Sequence, residues 1–83
     1  MKALKFSASW CGPCKGLAQV IENAKDKIEI PIQEHDIDTC GSISAEYNIR
    51  SVPTIILLND QGAEVKRKTG TMDEKALLEF LKG

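Results

Sequence analysis

The chain reads as an α/β domain with the element order βαβαββα: a four-stranded mixed sheet with helices on both faces. Three observations lead there. A short strand pattern, Ala3 to Phe6, runs into a Cys-x-x-Cys and then into a helical stripe. Thr54 to Leu58 is an unbroken β-branched and apolar run, followed by the turn residues Asn59-Asp60-Gln61-Gly62 and a second strand pattern. The last stretch, Leu77 with Phe80 and Leu81, carries helical spacing.

The first strand is expected at about Lys2 to Ser7. It feeds the hexapeptide Trp10-Cys11-Gly12-Pro13-Cys14-Lys15, around which the chain is organised. Leu17, Val20, Ile21 and Ala24 follow at i, i+3, i+4 and i+7, one face of a helix reaching to about Lys25. Pro13 suits the first helical turn, where the N–H it lacks would be unpaired anyway. Cys11 then meets the free N–H groups and positive dipole end of that helix, which favour thiolate over thiol. Cys14, one turn on, is expected to point inward and to be less accessible. An exposed, acidified sulfur beside a shielded one suits a reversible dithiol/disulfide couple, the first attacking and the second resolving.

Asp26 and Lys27 make a connection, and a second strand is expected from about Ile28 to Asp36, with Ile28, Ile30 and Ile32 alternating. Pro31 inside it cannot donate a ladder hydrogen bond, so the strand belongs at an edge, where a proline also guards against edge-to-edge pairing. Asp38 to Gly41 reads as a turn and Ser42 to about Tyr47 as a short helix. After the Thr54–Leu58 strand, the return strand is expected over Glu64 to Lys68, and Gly70 breaks the chain. Thr71-Met72-Asp73-Glu74 has the Thr-x-x-Glu form of a capping box, placing the last helix from there to about Lys82. The first two strands are parallel through a right-handed crossover, and the last two form a hairpin.

Eighty-three residues make one domain, 1–83, with a single compact core. Hydrophobic residues are 42% and charged residues 28%, with both signs mixed. The formal net charge is −1 and no basic run stands out, so nucleic-acid binding has no electrostatic footprint. No apolar signal region precedes the first strand, and no stretch approaches the roughly 18 apolar residues of a membrane span. Three cysteines are an odd number for a disulfide scaffold. One redox pair plus a spare thiol, Cys40, fits a reducing compartment, which places the protein in the cytoplasm. Cys40 reads as a small apolar turn residue, with a regulatory thiol as the alternative. His35, on the edge strand, is expected to be solvated and inert.

Cys11 and Cys14 could also be half of a structural zinc site, but that needs a second pair at metal spacing. Cys40 and His35 are not so spaced, and no metal is expected.

The hexapeptide Trp10 to Lys15, with Val52-Pro53-Thr54 and Gly70 and the element order between them, resembles the thioredoxin family over nearly the whole chain. Cys-x-x-Cys alone is less specific, being shared with zinc ribbons and haem attachment sites. The resemblance implies the thioredoxin fold reduced to its core, without the extra N-terminal strand and helix of longer members. It implies a protein-disulfide reductase whose redox centre is a Cys11–Cys14 disulfide, with no bound cofactor. No flavin or nicotinamide motif is present, so NADPH would be used only through a separate thioredoxin reductase. Electrons would go to enzymes such as ribonucleotide reductase, and the protein is expected to be a monomer. By the same resemblance Pro53 is cis and turns the Val52 backbone outward toward an extended substrate segment. Trp10, Gly12, Pro13, Val52 and Gly70 would then wall the substrate groove. Two readings stand beside this one: a glutathione-linked glutaredoxin-like reductase, which the short length favours, and a non-redox binding subunit of a larger complex.

One departure from the family is visible. Thioredoxins usually carry a buried aspartate six residues before the first cysteine, and a lysine on the neighbouring strand. Here Lys5 stands at the first position and Glu34 at the second. Glu34 shares a face with Ile30 and Ile32 and is expected to look inward, so the two would form a partly buried ion pair beneath the active site.

Overall fold

A computed structural model describes residues 1–39 and 41–82; Cys40, and with it the question of a spare thiol, lies outside the described residues. The sheet has the order β2-β1-β3-β4, built from β1 (Lys2–Ser7), β2 (Ile32–Asp36), β3 (Thr54–Leu58) and β4 (Glu64–Thr69). β1 runs parallel to β2 and antiparallel to β3, and β3 and β4 form an antiparallel hairpin. Three helices complete the order: α1 (Gly12–Ala24), α2 (Gly41–Glu46) and α3 (Glu74–Leu81).

Alternation along β1 and β3 divides the core. Ala3, Ile55 and Leu57 meet Leu17 of α1 and Leu77 and Leu81 of α3 on one face. Leu4, Phe6, Ile56 and Leu58 gather on the other, covered by Ile43 of α2 and by Ile37, Tyr47 and Ile49. Helices therefore lie on both faces, as the order of elements requires.

The second strand is shorter than expected. Lys25–Lys27 is a 3₁₀ turn, and pairing begins only at Ile32. Ile28 and Ile30 pack against the α1/α3 side of the core from irregular chain. Pro31 therefore precedes the strand, and its carbonyl accepts the Ala3 N–H at 2.9 Å. β2 is nonetheless an edge strand.

α2 starts and stops one residue earlier than expected. Asn48, at φ +55°, sends the Ile49 N–H to the Ser44 carbonyl and its own N–H to Ala45. Those two bonds close the helix with a left-handed residue of a type that tolerates it. α3 is capped by Asp73 rather than Thr71: Asp73 Oδ1 accepts the Ala76 N–H at 2.8 Å. Met72, just before the cap, and Leu77 are buried in one cluster, so an apolar staple fixes where the helix begins. Phe80, expected on the buried face with Leu77 and Leu81, is only half-buried.

His35 is half-buried, where full solvation was expected. Its ring stacks on Phe6, its parallel neighbour, with centroids 5.4 Å apart. Its Nε2 is buried without a hydrogen-bond partner among the described residues. Edge position left the ring free to turn onto the sheet, and the apolar patch under α2 took it.

Candidate active site

The site forms where β1 leaves the sheet. Ser7 ends β1, the Cys11 N–H returns to the Ala8 carbonyl at 3.1 Å, and α1 begins at Gly12. Cys11 is the N-cap of α1, in extended conformation, and its Sγ accepts the Cys14 N–H at 3.1 Å. Pro13 occupies the first turn, where no backbone donor is missed. The cap sulfur thus faces the unpaired donors of the helix, an environment that stabilises negative charge.

Cys11 and Cys14 are joined by a disulfide, with their Cα atoms 5.3 Å apart. Cys11 is 4% exposed and Cys14 3%. The expected contrast between an open and a shielded cysteine is therefore absent in this oxidised form. The bond draws both sulfurs into one small cluster with Ala8, with Ile37 and Val52 packed around it.

Around the disulfide, the structure brings most of the anticipated residues together. Gly12, Pro13 and Lys15 are exposed on the first turn of α1. Trp10 is 67% exposed, and its indole Nε1 donates to Asp38 Oδ2 at 3.1 Å. Val52 is half-buried against the disulfide cluster, the Val52–Pro53 peptide is cis, and Pro53 is buried. Gly70, exposed at φ +88°, donates its N–H to the Pro53 carbonyl at 2.9 Å. Trp10, Val52 and Gly70 come from three separate chain segments.

Beneath the site, Lys5 Nζ lies 3.3 Å from Glu34 Oε1, which also accepts the Ser7 hydroxyl at 3.2 Å. The pair exists, but it is lopsided. The Lys5 side chain is 4% exposed and that of Glu34 64%. Glu34 does not look inward as expected, because β2 is the sheet edge and its carboxylate reaches past the cover of α1 into water. An open cleft of about 400 Å³ runs from Lys5, Ser7 and Glu34 to Cys14 and Lys15.

Sequence reasoning missed Asp38 and Ser7. Asp38 sits in a turn whose N–H is taken by Asp36 Oδ1 at 2.8 Å, an arrangement that presents its own carboxylate to the tryptophan. Nothing in the spacing joins Trp10 to a residue so far along the chain. Ser7 could have been found, since it shares a strand face with Lys5. Among the described residues, no three His, Cys, Asp or Glu side chains are placed to hold a metal ion. No helix among them is long and apolar enough to cross a membrane.

A helix-capping cysteine joined to a second one turn on, beside an open cleft, makes the chain a thiol-disulfide oxidoreductase; comparison with known proteins agrees. The thioredoxin family profile matches residues 2–83, and the chain belongs to the thioredoxin family, as a thioredoxin-type disulfide reductase. It is 41% identical over 78 residues to a thioredoxin of Mycoplasmoides gallisepticum, covering 93% of this chain and 77% of that one. To a thioredoxin of Chlamydia trachomatis it is 38% identical over 79 residues, covering 94% and 76%. A protein of Mycobacterium leprae named bifunctional thioredoxin reductase/thioredoxin is 37% identical over 78 residues, covering 92% of this chain and 17% of that protein. Among solved structures, a Fasciola hepatica thioredoxin superposes with a TM-score of 0.86 at 33% identity, covering 98% of this chain and 77% of that one. A mutant thioredoxin from Halobacterium salinarum gives 0.89 at 32% identity, covering 98% and 71%.

Proposed function

We propose that this protein, acting as a single domain over residues 1–83 and as a monomer, reduces disulfides of other proteins in the cytoplasm, fed by NADPH through a separate thioredoxin reductase. The observation that carries this reading is the position of Cys11, the cap of α1, bonded to Cys14 at the end of an interior strand. In the reduced protein the Cys11 thiolate attacks a substrate disulfide. One substrate sulfur leaves with a proton and the other stays bonded to Cys11. Cys14 then loses its proton and attacks the Cys11 sulfur, releasing the second substrate thiol and restoring the Cys11–Cys14 disulfide. Two electrons pass to the substrate in each cycle, and the reductase returns them.

Trp10, Gly12, Pro13, Val52, Pro53 and Gly70 form the groove that holds an extended substrate segment across the disulfide, and Lys15 borders it. Their convergence from separate segments supports this, as does the apolar packing of Val52 on the cysteines. Substrates are disulfide-bearing enzymes of the ribonucleotide reductase kind. The Mycobacterium leprae relative, whose name joins the two activities in one chain, supports the pairing with a reductase.

Insulin reduction by the purified protein tests the proposal. Turnover is expected with NADPH and thioredoxin reductase, and little with glutathione, glutathione reductase and NADPH. The reverse preference would make the protein glutaredoxin-like. Turnover with neither would leave the fold as a binding subunit.

A further inference from the structure

The cleft beside the disulfide holds charge that the exchange of two sulfurs does not use. Lys5 stands in an interior strand, opposite Glu34 of β2 and Ile55 of β3. The Lys5 side chain is almost wholly buried, whereas that of Glu34, which answers it, is mostly exposed. Water screens an exposed charge far more than a buried one. Counted, the pair is neutral, but the less screened of its two charges is the positive one. The other charged groups facing the cleft are Lys15 from α1 and Asp36 from β2. A smaller cleft of about 270 Å³ on the other side of the pair reaches Glu22 of α1, which is itself engaged by Lys25 at 2.9 Å.

We propose that Lys5 and Glu34 set the balance between dithiol and disulfide at Cys11 and Cys14, the buried ammonium favouring the reduced state and the exposed carboxylate restraining it. This rests on the reading that the two cysteines cycle. The disulfide is uncharged. When it is opened by two glutathione molecules, the Cys11–Cys14 bond breaks and a glutathione disulfide forms. Two electrons then reside on the protein sulfurs, with a proton on each sulfur that does not remain thiolate. A fixed positive charge along the cleft acts on the thiolate and not on the disulfide, so it moves the equilibrium toward reduction. Lys5 and Glu34 are positioning residues here, acting on the sulfurs through the field and not on substrate.

The test equilibrates wild type, Lys5→Met, Glu34→Gln and the double variant with glutathione buffers at neutral pH. Reduced fraction is read by alkylation and mass, and thiolate absorbance is titrated in parallel. Lys5→Met should shift the equilibrium toward disulfide by roughly tenfold, about 30 mV more reducing. Glu34→Gln should shift it the other way, by about threefold, since the carboxylate is screened. The double variant should fall between them, and the thiolate titration should move up with the first and down with the second. If Lys5→Met does not fold, Glu34→Gln alone decides, because an exposed carboxylate can be replaced without loss of packing. A pair that served only the fold would change stability and leave the glutathione equilibrium still, which would overturn the proposal. So would shifts of one sign in both single variants. The potentials are measured without a reductase, so a wild type that failed with insulin would sink the disulfide-reductase reading and leave this inference to be judged by its own numbers.

Discussion

Gly70 donates its backbone N–H to the carbonyl oxygen of Pro53 at 2.9 Å. The bond adds one rung to the β3–β4 ladder beyond Thr54 and Thr69, and it ties the chain leaving β4 to the segment that packs on the disulfide. Gly70 makes it at φ +88°, in the left-handed region. A methyl group there would meet nothing within 4 Å, so the cost of a side chain is conformational and not steric. Gly70→Ala is expected to lose roughly 1–2 kcal/mol, read as a lower urea midpoint at unchanged slope. Its KM for a protein substrate should rise more than its kcat falls. Equal stability in Gly70→Ala would mean the backbone there can relax to negative φ.

The places of Cys11 at the cap and Cys14 inside the first turn predict that the first attacks and the second resolves. Cys14→Ser should therefore accumulate protein–substrate mixed disulfides through Cys11, visible by non-reducing electrophoresis and mass. Cys11→Ser should accumulate none. Trapping by Cys11→Ser alone would reverse the roles.

The Lys5–Glu34 pair makes a separate statement about stability. Lys5→Met replaces a buried ammonium by an apolar chain of similar shape, which is often neutral or stabilising. Glu34→Gln leaves the ammonium a neutral acceptor in place of a charged one and should cost about 1 kcal/mol or less, the carboxylate being mostly exposed. The double variant should recover most of that loss, so a thermodynamic cycle gives non-additive changes. Strict additivity would show that the contact at 3.3 Å contributes nothing.

Two side chains compete to cap α3, and the structure chooses Asp73. Asp73→Ala should destabilise by roughly 0.5–2 kcal/mol, while Thr71→Ala should change little. Equal losses in circular-dichroism melts would restore Thr71 as a partner in capping.

Arg67 and Glu64 meet through two hydrogen bonds of 2.7 Å each. The hydrogen bonds from the Arg67 guanidinium hold the Glu64 carboxyl below its ordinary value, and burial opposes this in part. The folded value is the depressed one, so the contribution is present above the carboxyl's unfolded value and lost as pH falls through the folded one. Both side chains are about one-third exposed, so the effect is under about 1 kcal/mol. Glu64→Gln should flatten the acid limb of the stability curve by that much, and added salt should do part of the same to wild type.

The parts legible in the sequence were those where neighbours in the chain decide the outcome. Thr54 to Leu58 had to be a strand, and Asn59 to Gly62 had to turn: Asn59 Oδ1 takes the N–H groups of Gln61 and Ala63, and Gly62 supplies φ +83°. The cysteine hexapeptide likewise lies within one turn. Where distant residues decide, the sequence was mute or misleading. Ile28, Ile30 and Ile32 alternate because one side of the chain is buried, and alternation reports burial whether or not a ladder forms. His35 and Phe6 are neighbours only through the β1–β2 register. Trp10 and Asp38 touch only because a turn brings them round.

β1 carries the cysteines out of the sheet, yet neither of its partners is near it in the chain. Lys5 lies opposite Glu34 on one side and Ile55 on the other, while β3 and β4 are joined by a tight hairpin. Loop closure opposes distant pairings before their contacts can repay it, so the hairpin can form early and β1 joins only when the chain has collapsed around it. During synthesis or refolding, both thiols are therefore expected to exist for a time without Val52 and Ile37 packed on them, open to exchange with any disulfide they meet. Pulsed hydrogen exchange during refolding should protect β3 and β4 amides before those of β1, and simultaneous protection would remove the interval.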